Sequence, residues 1–286
     1  MRQTELLQAA WCDETLLLVM PGGADLPYCG ALNGPGNARI RGARHTSDIT
    51  CPLPRRLTPS TLSSLPPYHP KPSTPNPEFV MERGGAYLGL CAGAYYACRA
   101  VCFQQGRALE VLGERELRFF PGRAWGSVTP EFDYQSERGA MALGLCIGDA
   151  EAPQSSDVWR SHEHTASEWR TCDGKAPSGR RFCDYVHGGP CFVPDGAAPG
   201  VEVLARYAAT GHIAAAKCAC GRGVAVLCGS HPELHPDWLR SESTGLAGEE
   251  AAHVAGLVDA LAADQDAREA FFRSLLVHAG LAAHLR

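Results

Sequence analysis

The chain alternates short, wholly apolar runs with breaks rich in glycine and proline. Thr15–Met20 reads Thr-Leu-Leu-Leu-Val-Met and stops at Pro21-Gly22-Gly23, and a second run, Ala86–Leu90, stops at Cys91. A short apolar run bounded by turn formers marks a strand buried on both faces. From Ala92 to Val101 the composition turns helical, so the second run predicts a strand, a tight turn and a helix. Further strands are predicted over 181–187, 201–208, 212–219 and 223–229, the last two joined as a hairpin at Gly221-Arg222-Gly223. Residues 249–285 carry Ala, Leu and charged positions at helical spacing and predict one or two amphipathic helices. Buried strands with interleaved helices predict an α/β fold with an open, mostly parallel sheet and helices on both faces.

One stretch breaks this pattern. Between Ala43 and Pro77 lie nine of the chain's 21 prolines, with Ser and Thr between them and almost no apolar periodicity. Such a composition buries too little apolar surface to offset its ordering entropy. The stretch also divides what reads as one helix, Asn37–Gly42 followed by Glu78–Gly85. The prediction is therefore a single domain over 1–286, with a proline-rich, disordered insertion at 43–77 and a helical segment at 249–285. The insertion is expected to be either translated intron sequence or a surface loop.

Composition narrows the function classes. An apolar fraction of 45%, a charged fraction of 20% and a net charge of −5 predict a globular chain with no electrostatic pull toward nucleic acid or an anionic membrane. No apolar run has membrane-spanning length, and Asp13 and Glu14 interrupt the N-terminal region before any secretory pattern forms. A soluble, cytoplasmic protein is expected. The 13 cysteines are odd in number and irregularly spaced, which predicts reduced, buried thiols rather than a disulfide framework. Cys218 with Cys220, Cys98 with Cys102, and His162-Glu163-His164 all lack zinc-site spacing. No metal and no cofactor is expected.

Three segments point to chemistry. Gly89-Leu90-Cys91-Ala92-Gly93 sets a thiol between small residues, after a buried strand and before a helix. A sharp turn there pushes the sulfur out at the carboxyl end of the sheet, and a helix N-terminus behind it favours the reactive thiolate. Residues 224–234 are a buried run ending in His231-Pro232-Glu233. A thiol nucleophile needs a base, and the base needs a third group to fix its tautomer; His231 and Glu233 are of the right types for both. The Pro-Gly-Gly break after Met20 turns backbone amides toward the same sheet edge, and the amide of Gly23, beside Gly22, pairs with that of Ala92 as candidate oxyanion donors. His187, before Gly188-Gly189-Pro190, is placed at the border of the pocket.

These pieces, in this order, resemble the class I glutamine amidotransferase-like superfamily, with its Gly-x-Cys-x-Gly and later His-x-Glu. A closer resemblance lies in Met20–Tyr28, Leu32–Gly36, Gly84–Ala97, Phe119–Gly122, His187–Pro190 and His231–Glu233. Together they look like the amidotransferase-like N-terminal domain of eukaryotic biotin–protein ligases, which also occurs as a stand-alone protein, especially in fungi. The resemblance implies an amidotransferase-like sheet. It also implies a thiol-dependent amidase or hydrolase acting on a small-molecule amide or acyl substrate through Cys91, His231 and Glu233. Three departures qualify it. Tyr95 stands where glutaminases of the superfamily carry a substrate-holding glutamine, and with Tyr96 it is expected to add bulk at the pocket. The Gly-Arg-Gly-Arg loop of biotin ligation is absent, so these residues by themselves are not expected to biotinylate anything. The N-terminus is shorter than the family's first strand and helix require, and the sheet is expected to lack a central strand. The alternative function is a non-catalytic regulatory or binding module that keeps the elbow. The oligomeric state is left open.

Overall fold

The computed structural model describes residues 11–41, 79–129, 131–148 and 180–285. The insertion predicted at 43–77 and the His162-Glu163-His164 stretch lie outside the described residues.

The strands are β1 (Leu17–Met20), β2 (Ala86–Leu90), β3 (Cys98–Phe103), β4 (Val111–Glu114), β5 (Phe120–Gly126), β6 (Met141–Ile147), β7 (Arg180–Val186), β8 (Cys191–Pro194), β9 (Val201–Tyr207), β10 (Ile213–Cys220) and β11 (Gly223–Cys228). The helices that matter below are α1 (Leu26–Leu32), α2 (Pro35–Arg41), α3 (Ala92–Ala97), α4 (Pro236–Glu242), α5 (Gly248–Ala263) and α6 (Gln265–Leu276). The α/β class holds, on a mixed sheet ordered β1-β2-β11-β10-β8-β5-β3-β4, with β9 on β10 and the β6–β7 pair beyond it. The parallel pairs are β1–β2, β2–β11 and β3–β5. The predicted hairpin is the antiparallel pair β10–β11.

Strand β2 is buried along its whole length because it lies between two parallel neighbours, as its unbroken apolar run required. Strand β1 differs from expectation. It ends the sheet among the described residues, and it alternates: Leu18 and Met20 are buried, whereas Val19 is exposed. The helix predicted over Ala92–Val101 stops at Ala97, and the chain turns extended at Cys98. Strand β3 pairs with both β4 and β5 and buries Val101 and Phe103, so sheet pairing overrides the local preference. Strands β4, β5, β6 and β8 lie outside the predicted elements: glycines interrupt β4, β5 and β6, and β8 is only four residues long and ends in Pro194.

The divided helix is visible in its hydrogen bonds. The amides of Phe79, Val80 and Met81 donate to the carbonyls of Arg39, Ile40 and Arg41 at 2.8, 3.1 and 3.0 Å. If Glu78 is counted as following Arg41, each is an i→i−4 helical bond. Thus 79–81 continue the ladder of α2 in register.

Tyr87, Tyr96, Phe119, Phe120 and Phe192 pack on one side of the sheet. On the other, Leu88, Val226 and Phe182 pack with Phe271 and Leu275 of α6, and the Phe182–Phe271 ring centroids are 5.2 Å apart. Helix α6 is thereby held against β7 and the same face of the sheet. No helix among the described residues is long and apolar enough to cross a membrane.

Candidate functional site

The site forms where β1, β2 and β11 end side by side. Their parallel register brings the segments after Met20, Leu90 and Cys228 to one edge. The Cys91 amide donates to the Cys228 carbonyl at 2.9 Å, which ties the elbow to the neighbouring strand end. Cys91 itself adopts φ 48° and ψ −103°. A side chain in that region costs on the order of 1–3 kcal/mol, and such strain persists only where the surroundings enforce it. The enforcement here is close packing. A Cβ on Gly93 would lie 2.0 Å from the Met20 carbonyl oxygen, and the Gly93 amide donates to the Pro21 carbonyl at 3.1 Å. Only glycine lets the first turn of α3 sit that close to the end of β1.

His231 follows β11 and reaches back over this elbow. Its imidazole rests on Gly22, where a Cβ would lie 2.4 Å from Cε1. Its Nδ1 is 2.7 Å from Oε1 of Glu233, and the Cys91 sulfur is its other polar neighbour. Burial pushes the His231 pKa down, but the adjoining Cys91 sulfur and the Glu233 carboxylate outweigh it, so the pKa lies well above the ordinary histidine value. Cys91, His231 and Glu233 are thus brought together from two strand ends.

Gly23 and Ala92 both border a cavity beside Cys91. Among the described residues neither amide has a hydrogen-bond partner, and Gly23 has φ 120°. The cavity, of about 50 Å³, is lined by Gly23, Asp25, Cys91, Ala92, Tyr95 and His187 together with Phe103, Phe132 and Tyr134. The Cys91 thiol sits 3.8 Å from the His187 carbonyl oxygen. The His187 ring packs on Phe132 with centroids 4.9 Å apart, and burial lowers its pKa below the ordinary histidine value.

The two tyrosines of the elbow part company. Tyr95 borders the cavity, and its hydroxyl donates to the Gly188 carbonyl at 3.0 Å. Tyr96 does not reach the cavity: it points toward α1 and α2, where its hydroxyl meets Asn37 Oδ1 at 2.5 Å and its ring packs on Tyr28. The bulk expected from Tyr96 is absent from the site because successive residues of a helix face different sides.

Several residues of the site carried no signal in the sequence. Arg115, buried just after β4, pairs with Asp25 at 2.7 Å and fixes that carboxylate at the cavity wall. Phe132 and Tyr134 arrive from an irregular segment. Arg268 of α6 donates to the carbonyls of His231 and Leu234. Each is placed by tertiary packing alone. Elsewhere, the eleven described cysteines are free thiols, and burial raises Cys191 to about 12 and Cys220 to about 11.

Comparison with known proteins follows the same outline. The chain is 32% identical to a biotin–protein ligase of Schizosaccharomyces pombe over 228 residues, which are 78% of this chain and 26% of that protein. It is 33% identical over 140 residues to an uncharacterized protein of Chlamydia muridarum, covering 49% of this chain and 40% of the relative. The chain therefore spans well under half the length of these relatives. A solved glutamine amidotransferase structure aligns at 18% identity and a TM-score of 0.28, covering 52% of each chain. The family model for the biotin-protein ligase N-terminal region matches residues 1–43 and 74–285, skipping most of the proline-rich stretch. The chain belongs to the biotin-protein ligase N-terminal family.

Proposed function

We propose that this chain is a thiol-dependent amidase or hydrolase of a small amide or acyl substrate. The observation that carries the proposal is the contact of Cys91, held in a strained elbow at a cavity wall, with an imidazole that is itself bonded to Glu233. The Cys91 thiolate attacks the carbonyl carbon, and the carbon–oxygen π pair moves onto oxygen. The amides of Gly23 and Ala92 receive that oxyanion. Protonated His231 gives its proton to the leaving amine or alcohol as the carbon–heteroatom bond breaks, which leaves a thioester on Cys91. Water, deprotonated by the now neutral His231, attacks the thioester carbonyl, and the carbon–sulfur bond breaks to release the acid and restore the Cys91 thiolate beside protonated His231. Glu233 orients the imidazole and stabilises its charged form.

The small cavity and its aromatic walls favour a compact acyl group. Tyr95, anchored to Gly188, occupies the wall where a glutamine would hold substrate in the superfamily, so free glutamine is disfavoured. The same crowding supports a second reading, a binding or regulatory module that keeps the elbow without turnover.

The test is the alkylation rate of Cys91 by iodoacetamide across pH, read by mass spectrometry at the Cys91 peptide. Modification at neutral pH that is lost in His231→Ala supports the enzyme. Alkylation confined to pH above about 8, the range of an ordinary thiol, overturns it.

A further inference from the structure

The group that fixes the His231–Glu233 turn comes from the C-terminal part of the fold. Arg268 of α6 has no exposed side-chain surface, and neither has its partner Asp184 of β7; Nε and Oδ1 are 2.8 Å apart. The rest of the guanidinium is spent on three oxygens. Nη1 donates to Gln265 Oε1 at 2.9 Å, and Nη2 donates to the carbonyls of His231 at 3.1 Å and Leu234 at 2.7 Å. Those carbonyls mark the two ends of the turn that carries Glu233, and the turn closes on itself through Leu234 N–H to His231 O at 3.2 Å. A second tie runs alongside: the Asp264 carboxylate accepts from the Cys183 amide at 2.6 Å, and the His231 amide donates to the Tyr185 carbonyl at 2.8 Å.

A buried ion pair is a poor stability device, since a well-packed apolar pair commonly serves as well. Geometry is what this one supplies. A planar fork locked on Asp184 presents Nη2 to both ends of the turn at fixed distances, which an apolar side chain cannot do.

We propose that Arg268, anchored on Asp184, is a positioning residue that holds the His231–Leu234 turn so that Glu233 meets His231 and the imidazole faces Cys91. The role rests on the site proposed above, and its readouts separate the two.

The experiment compares wild type, Arg268→Lys, and the double variant Arg268→Met with Asp184→Leu, which removes the clamp without stranding a charge. Thermal melting reports the fold, iodoacetamide reports Cys91 across pH, and the imidazole Nδ1–H resonance reports the His231–Glu233 bond. The double variant is expected to melt near wild type, to lose on the order of 10- to 100-fold in alkylation rate at neutral pH, and to lose the Nδ1–H signal. Arg268→Lys, keeping charge but not the fork, should fall between. A folded double variant with an unchanged pH profile and an intact resonance overturns the proposal. If the double variant does not fold, an unchanged profile in Arg268→Lys overturns it instead. If wild-type Cys91 reacts only at high pH, the enzyme reading fails on its own, and the Nδ1–H resonance alone decides the clamp: its loss supports positioning, and its persistence overturns it.

Discussion

The carboxylate of Glu233 lies 2.7 Å from Nδ1 of His231, two residues earlier in the chain, and Pro232 between them is part of the reason. Its fixed φ narrows the paths by which two side chains so near in sequence come to face each other. A carboxylate can only accept in such a bond, so whenever the bond is made Nδ1 is the ring nitrogen that donates.

Glu233→Gln keeps the shape and removes the charge. Its side chain is 31% exposed, so the fold should be little affected. The alkylation rate of Cys91 near neutral pH is expected to fall about tenfold, because the imidazole loses the carboxylate that favours its charged form. Stopped-time alkylation with mass spectrometry checks this.

Gly22→Ala places a methyl 2.4 Å from Cε1 of His231, inside any permitted contact. The imidazole must move, and displacement of a general base by about 1 Å can cost on the order of 100-fold in rate. The expected outcome is a folded protein whose Cys91 reactivity at neutral pH is nearly lost, shown by parallel melting and alkylation curves.

The raised pKa of His231 also links the site to stability. A histidine whose folded pKa exceeds its unfolded value of about 6.5 stabilises the protein fully below that value. The contribution is lost as the pH rises through the folded value. The gap in melting temperature between wild type and His231→Gln should therefore be widest below about pH 6.5 and shrink toward alkaline pH. In Cys91→Ser the His231 titration followed by NMR should shift to lower pH, since the sulfur is a leading cause of the elevation.

Deleting residues 42–77 joins Arg41 to Glu78 and leaves the bonds from Phe79, Val80 and Met81 to Arg39, Ile40 and Arg41 as ordinary helical ones. Closing a loop of such length costs roughly 3 kcal/mol of chain entropy, so the deletion variant should fold and melt at or above the wild-type temperature. A circular dichroism melt that shows a marked loss of stability would contradict the continuous helix.

The sequence by itself determined the local devices. Gly-x-Cys-x-Gly after an apolar run specifies an elbow, because small residues are needed wherever two backbones meet as Gly93 and Met20 do. The apolar runs at 86–90 and 223–229 specify buried strands, and the i→i−4 register across the proline-rich stretch agrees with the helical pattern on either side of it. Tertiary structure decided the rest. Extended pairing claimed Cys98–Phe103 from a helix, since the hydrogen bonds and burial offered by β4 and β5 exceed a weak local preference. Likewise, nothing near Arg268 in the chain announces that its guanidinium will close over His231, 37 residues away. A side chain that acts through long-range contacts leaves no spacing to read; its role exists only once α6 packs against β7.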